Sequence, residues 1–320
     1  MLTRALASCL SPGGERAALS ILIFHRVLPR PDPLFPEEFD AGRFDALLGW
    51  LGKSFTVIRL ERAIALLAAG TLPPRAVAIT FDDGYADNFT VARPILEAHG
   101  MSATFFIAAG FLDGGRMFND TIIEAVRAFD GAELDLTRLG LGRFSTRTTT
   151  EKREAIDRML PTVKYLTPDE RARIVAGVAE IGGAPLPDDL MMTSRQVRSL
   201  HAAGMTIGGH TRSHPILSGL GDAAAFDEIA GGKAMIEAIV GEPISLFAYP
   251  NGKPGKDYHA RDAQLVRAAG FTAAVSTSPG VARRDADRYQ LPRFTPWDRT
   301  HLRFGLRLVQ NLRSAGKVAA

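Results

Sequence analysis

The chain has 320 residues, 46% of them hydrophobic and 23% charged, which is enough apolar sequence to bury one large α/β domain or two smaller ones. Its 38 basic and 35 acidic residues leave a formal net charge of +3 with no block of like charge, so neither a nucleic-acid surface nor an acidic tail is indicated. Cys9 is the single cysteine, which excludes an internal disulfide and a cysteine-rich zinc site.

Residues 1–19 form a short N-terminal segment. Leu6-Ala7-Ser8-Cys9 resembles a lipid-attachment box, but five preceding residues are too few for a charged and then an apolar signal region. No apolar run approaches the roughly 18 to 20 residues that span a bilayer, so the expectation is a cytoplasmic protein or one peripheral to a membrane. From residue 20 onward, short apolar runs alternate with amphipathic helical stretches: ILIF (21–24), AVAITF (76–81), ATFFIA (103–108), MTIGG (205–209), SLFAYP (245–250) and TAAVST (272–277). Near-continuous apolar strands of this length are what a parallel sheet covered on both faces needs. Three of these runs follow a helix that stops at a glycine (Gly100, Gly204, Gly270), a residue suited to the left-handed conformation past a helix C-terminus. The units predict an α/β fold, a (β/α) barrel in preference to an open sheet, because no G-x-G-x-x-G follows the first strands. Residues 112–190 change to polar helical sequence and read as a helical insertion whose apolar faces pack on the barrel rim. Residues 299–320 form an amphipathic tail, a pattern that suits either docking on the barrel or weak contact with a membrane surface.

Polar residues stand where these strands end. His25 follows the first run, where a strand reaching water often carries its first polar side chain. Asp82-Asp83-Gly84 follows the second; taken alone it is a common turn signal. GGHTRSHP (208–215) follows the fourth and places His210 and His214 four residues apart, within reach of one metal ion. The C-terminal strand ends of a parallel barrel are where active sites sit, so the Asp pair and the His pair gain weight from each other. Two histidines and one carboxylate make a facial set with open positions on a divalent ion, and the other carboxylate is left free as a general base. A glycosidase pair is excluded, since its two carboxyl groups must straddle the sugar at about 5 to 9.5 Å. LGKS (51–54) lacks the first glycine of a phosphate loop, and there is no G-x-S-x-G nucleophile elbow.

TFDDG followed by HTRSH resembles the polysaccharide deacetylase family, or NodB-homology domain, over residues 20–298. The resemblance implies a distorted (β/α) barrel with fewer than eight strands and hydrolysis of the N-acetyl amide of an N-acetylated glycan. It also implies one divalent ion, zinc first and cobalt, nickel or iron as alternatives. Asp82 would be the general base, and Asp83, His210 and His214 would hold the metal. Two departures stand out. The family's Arg-x-Pro-Tyr motif is FAYPNG here, with Ala248 at the arginine position, and Arg293 in LPRF is the candidate replacement because its planar fork can pair with a carboxylate from elsewhere on the rim. The backbone N–H near Asn251 would supply an oxyanion donor, and Tyr249 of the same motif would contact substrate. The family's late Leu-x-His is absent near LPRFTPWD. IFHRV resembles the N-terminal element of the permuted poly-N-acetylglucosamine deacetylase branch, which makes His25 the candidate general acid. Asn119 and Trp297 are further candidate substrate contacts, and Asp120 reads as a helix cap. Two alternatives carry different functions: a same-fold hydrolase of small cyclic amides, and a glycan-binding protein that lost catalysis with the arginine.

Overall fold

A computed structural model describes residues 2–298 and 300–319. Each predicted apolar run is a strand: β1 (Ser20–Phe24), β2 (Ala76–Phe81), β3 (Thr104–Ile107), β4 (Thr206–Gly209), β5 (Leu246–Ala248) and β6 (Ala273–Val275). They lie side by side in chain order, all parallel, with a short strand (Thr56–Val57) alongside the start of β2. Such a connection needs a crossover between successive strands, and the helical stretches provide it. Gly100, Gly204 and Gly270 take φ values of +63°, +80° and +83° at the helix-to-strand joints, as expected of glycines that end helices.

The sheet curls until its edges meet on a segment that no apolar run marked. Residues 291–294 bridge in parallel to both edge strands, Leu291 to Val275 of β6 and Phe294 to Leu22 of β1. Phe294 N–H donates to Ile21 O at 2.7 Å and Leu291 N–H donates to Ala274 O at 2.9 Å. The result is the distorted barrel of fewer than eight staves, closed by a short irregular one.

Alternation along each strand sorts the side chains between two cores. Ile21, Ala78, Phe106, Ala248, Val275 and Leu291 face the interior, where Leu60, Ala63 and Leu67 of the helix Leu60–Ala68 join them. Leu22, Phe24, Phe81, Phe105, Phe247 and Phe294 face outward to the surrounding helices. Phe24, Phe81 and Phe105 stack across three adjacent strands with ring centroids 5.4 and 5.0 Å apart. Fully burying one such ring stabilises the fold by about 1.5–3 kcal/mol.

The insertion differs from expectation. Its helices Phe118–Ala128, Thr149–Lys164 and Pro168–Gly182 and its hairpin (Glu133–Leu136 with Gly142–Ser145) form a separate apolar core around Ile122, Leu134, Phe144, Ile156, Met159 and Val178. They pack on one another, and Leu34 and Phe35 from the segment after β1 join them. Capping boxes Thr148/Glu151 and Thr167/Glu170 start the second and third helices. The C-terminal tail is also docked: Phe304, Leu308, Val309 and Leu312 lie in the outer barrel core, and the helix His301–Asn311 packs against the N-terminal helix Leu2–Leu10. Leu302 and Leu306 stay exposed on its other side. No helix among the described residues is long and apolar enough to cross a membrane.

One close approach bears directly on the strand-end loop after β4. A Cβ on Gly232, in the helix Asp222–Val240, would lie 2.5 Å from the carbonyl carbon of Thr211 and 2.6 Å from its oxygen. Both neighbours are backbone, so relief requires the helix to move off the loop. Gly232→Ala is expected to cost about 1–3 kcal/mol of stability in urea unfolding. Gly219→Ala, where a Cβ meets nothing within 4 Å, is expected to stay within about 0.5 kcal/mol of wild type.

Candidate active site

The C-terminal ends of the strands converge on one cleft of about 530 Å³, bordered by His25, Asp82, Asp83, His210, His214 and Asn251 among others. Seven of the residues singled out in the sequence meet there: these six, which stand directly after strands or in the loops that follow them, and Asn119 from the insertion.

Asp82 and Arg293 are the most fully hydrogen-bonded pair of the site. Asp82 continues the inward-facing parity of Ala78 and Thr80, and its N–H donates to Phe24 O at 2.9 Å, which extends the β1–β2 ladder by one residue. Arg293 enters the same interior from the closing segment. Its Nη1 and Nη2 donate to Asp82 Oδ1 and Oδ2 at 2.6 and 2.7 Å, its Nε donates to Ser276 O at 2.9 Å, and Nη1 also reaches Thr80 Oγ1 at 3.2 Å. The two residues are 1% and 2% exposed, so this is a desolvated fork-to-fork pair. Burial alone would push the Asp82 carboxyl up; the Arg293 guanidinium overrides it and holds the group below the usual carboxylate range. Asp82 thus stays ionised in a site closed to bulk water. Ala248, at the family's arginine position, belongs to the inward-facing set as well, with only a methyl group.

Asp83, His210 and His214 bring three ligating atoms within 4.8 Å of one another. Asp83 Oδ1 lies 3.3 Å from His210 Nε2 and 3.4 Å from His214 Nε2. Two donors bound at about 2.1 Å to one tetrahedral ion stand about 3.4 Å apart, so the spacing fits a bound cation. The same oxygen is buried and accepts no hydrogen bond among the described residues, an orphan that a cation would satisfy. His210 Nδ1 lies 2.7 Å from Ala248 O, a bond that puts the proton on Nδ1 and leaves the Nε2 lone pair facing Asp83. Burial drives the His214 imidazolium down to about 3, which keeps that ring neutral as a ligand must be. For His210 burial acts in the same sense, but the neighbouring Asp83 and Asp82 carboxylates outweigh it and raise the group. The residues fit one divalent ion.

The loop that carries the histidines is held by groups the sequence did not flag. Glu228, buried on the helix Asp222–Val240, accepts from the N–H of Arg212 at 3.1 Å and of Ser213 at 2.8 Å, and from Ser213 Oγ at 2.8 Å. Thr211 Oγ1 accepts the His214 N–H at 3.0 Å. Asp83, Thr211, His214 and Asn251 all have positive φ, between +56° and +74°, a conformation that non-glycine residues adopt at a cost of about 1–3 kcal/mol each. Glu228 stands beside Asp227 in a helix that also carries Lys233 and Glu237, so nothing in the sequence singled it out.

His25 is exposed at the cleft, and its backbone carbonyl accepts from Asn88 Nδ2 at 2.8 Å. Arg26 turns the other way: it pairs with Asp87 at 2.8 Å and lies over the Tyr85 ring. Asn251 borders the cleft, and its N–H has no protein acceptor among the described residues. Asn119 lies on the insertion side of the cleft. Asp120 is not a cap; it is the third residue of the helix Phe118–Ala128, whose N-cap is Met117. Its side chain is buried, accepts from Tyr85 Oη at 3.0 Å, and is pushed up to about 7, chiefly by burial.

Two expected substrate contacts are absent from the cleft. Tyr249 follows the outward parity of Phe247, so it is fully buried in the outer core, stacked on Tyr258 at 3.8 Å, and its hydroxyl donates to Tyr289 O at 2.9 Å. Trp297 is 62% exposed beyond the closing segment with the Arg307 guanidinium 4.4 Å from its ring centroid.

Fold and rim together define a parallel-barrel protein with a His, His, Asp donor set beside a second carboxylate. Residues 69–274 match the family model for polysaccharide deacetylase, and the chain belongs to that family. It is accordingly a hydrolase of carbon–nitrogen bonds other than peptide bonds. YxkH of Bacillus subtilis (strain 168) is 22% identical over 279 residues, 87% of this chain and 71% of that one. Among solved structures, the deacetylase PplD of Streptococcus pyogenes, determined in complex with acetate, shares the fold with a TM-score of 0.61 at 18% identity, covering 92% of this chain and 98% of that one. IcaB from Ammonifex degensii does so at 0.59 and 18%, over 95% and 99%.

Removing the guanidinium should expose the cost of the buried charge. Arg293→Met is expected to lose about 3–5 kcal/mol in urea unfolding at pH 7. The pH dependence should also change sign. In the wild type the lowered Asp82 group contributes stability that is present above its unfolded value near 3.8 and lost as pH falls through its folded value. In the variant, burial without a partner raises the group, so the unfolding midpoint should rise, not fall, as pH drops from 7 toward 4.

Proposed function

We propose that this deacetylase removes acetyl groups from the N-acetylated sugars of a glycan, with a divalent ion, zinc foremost, held by Asp83, His210 and His214. The observation that carries this is the pairing of one carboxylate, Asp83 Oδ1 beside two imidazole Nε2 atoms, with a separately held carboxylate at Asp82. An ion in that site supplies a Lewis acid for the acetamide carbonyl and acidifies a water beside it.

This chain's own residues take the remaining roles. Asp82, kept ionised by Arg293, accepts the proton of the attacking water. Arg293 donates both arms to the carboxylate and so fixes which face it presents; it positions the base and does not touch substrate. The unpaired N–H of Asn251 donates to the oxygen that gains negative charge. His25, on the opposite stave from β4 and open to the cleft, delivers a proton to the nitrogen as the C–N bond breaks. Acetate and a free amine leave. Asn119 borders the sugar from the insertion side.

The two alternatives lose their motives. A binder without catalysis followed from the missing arginine, and Arg293 supplies the fork that Ala248 lacks. A cyclic-amide hydrolase would be favoured by a small closed pocket, whereas this cleft has a volume of about 530 Å³ and shares lining residues with a second cavity.

Acetate release from N-acetylglucosamine oligomers, with zinc, cobalt or nickel added, tests the activity directly. Asp82→Asn should keep stoichiometric metal by elemental analysis and lose about 10²–10⁴-fold in turnover, and His25→Gln should behave alike. His214→Ala should lose the metal itself. Absence of acetate from every oligomer would remove the substrate assignment, and absence of metal from the wild type would remove the mechanism.

A further inference from the structure

The catalytic cleft does not end at the barrel rim. Lys164, Tyr165 and Lys256 border it on the side away from His25, and the same three residues border a second cavity of about 290 Å³. The two spaces therefore share a wall, and Arg171 and His259 line the further one. No carboxylate borders that second cavity. Among the described residues, none of Lys164, Arg171 and Lys256 takes part in an ion pair, although most arginines near the cleft do.

In place of carboxylates these cations have aromatic rings and, for Arg171, the Lys164 carbonyl oxygen, to which its Nη1 donates at 3.4 Å. The Lys164 and Lys256 ammonium groups lie 5.5 and 4.7 Å from the centroid of the same Tyr165 ring, which is half exposed, and the Arg171 guanidinium lies 4.9 Å from the centroid of the Phe118 ring. A ring face attracts a cation by about 0.5–1 kcal/mol at exposed sites, too little to neutralise two ammoniums drawn to one place. Burial lowers the Arg171 group and no carboxylate opposes it. The far side of the cleft is the reverse. There Asp32, Glu38 and Asp120 gather near His25, while Arg26 and Arg127 are already paired with Asp87 and Asp32.

We propose that the cavity behind Tyr165 is an anion subsite, and that the glycan this enzyme deacetylates carries a phosphodiester or a uronic carboxylate next to the N-acetylated sugar. The proposal deepens the deacetylase reading, because a sugar with its acetamide at Asp83 would set its neighbour against Tyr165, with the substituent between Lys164, Lys256 and Arg171. A sugar ring on the exposed Tyr165 face and a charge-assisted bond to each lysine account for the residue types at the junction.

Binding and turnover can be read apart. The His25→Gln protein, loaded with zinc, is titrated calorimetrically with three probes: a neutral N-acetylglucosamine tetramer, the same tetramer bearing a reducing-end methyl phosphodiester, and a tetramer alternating N-acetylglucosamine with glucuronic acid. At low salt at least one anionic probe should bind about ten-fold tighter than the neutral one, and the advantage should shrink as ionic strength rises to 0.5 M. Lys164→Met/Lys256→Met, added to the His25→Gln background, should abolish that advantage. Whichever anionic probe is preferred identifies the source of the charge. Equal binding of all three probes, or a preference that survives loss of both lysines, overturns the subsite. Acetate release by the wild type is measured on the same probes, so a failed deacetylase assignment shows as binding without acetate and is not confused with a failed subsite.

Discussion

Everything at the rim depends on one buried ion pair between the end of the second stave and the segment that closes the barrel. Asp82 and Arg293 are separated by 211 residues along the chain and meet through two hydrogen bonds inside a space that excludes water. Such a pair is tolerable only when every polar edge is matched, since a charge left alone there costs several kcal/mol. The match requires the closing segment to sit in one register between β6 and β1. A slip by a single residue would turn Arg293 outward and bring Pro292 or Phe294 to the carboxylate. The pair therefore couples closure of the fold to the orientation of the carboxylate proposed as the base.

The donor set beside it shows the same economy in a different form. Asp83 and His214 sit in left-handed backbone conformations that their side chains disfavour, and the strain is held by the neighbours of the loop. Glu228 collects two backbone N–H groups, Thr211 turns the chain back with its own hydroxyl, and Gly232 lets the helix come within contact of the Thr211 carbonyl. Ala248 contributes by its backbone, whose carbonyl sets the tautomer of His210. The position from which the family's arginine has gone thus keeps a part in the site.

How much of this could be read from the sequence follows from what each feature leaves on the chain. The six strands were legible because burial on both faces demands runs of apolar residues and because their helices stop at glycines. Asp82, Asp83, His210 and His214 were legible because two acids and two histidines at strand ends have few other uses in combination. The closing stave left a weaker trace: LPRF is too short and too mixed to register as an apolar run, and the missing arginine drew attention to Arg293 at the end of that late strand. Tyr249 was misassigned to the cleft for the opposite reason: a motif position was followed where strand parity, set by Phe247 two residues earlier, sends the side chain outward. The packing of the insertion upon itself, and not upon the rim, depended on Leu34 and Phe35, more than 75 residues from the segment they cover and without a periodic pattern of their own.

The insertion also changes where specificity resides. The barrel rim alone brings the Asp83, His210 and His214 donor set together with Asp82 and His25, and in the proposed reaction these would act on any acetamide that reached them. Met117, Phe118 and Asn119 from one inserted helix, and Leu160, Pro161 and Lys164 from another, build a wall opposite the barrel's residues. Because the wall has its own core and its own capped helices, it can change its surface without disturbing the strands that fix the chemistry. The groups proposed to react are thus placed by closure of the barrel, while the polarity along the cleft is shared: Asp120, Lys164 and Arg171 come from the inserted unit, and Asp32, Glu38 and Lys256 from the segments around it. Loss of a charge in that unit should alter which glycan is accepted long before it alters how the amide is cleaved.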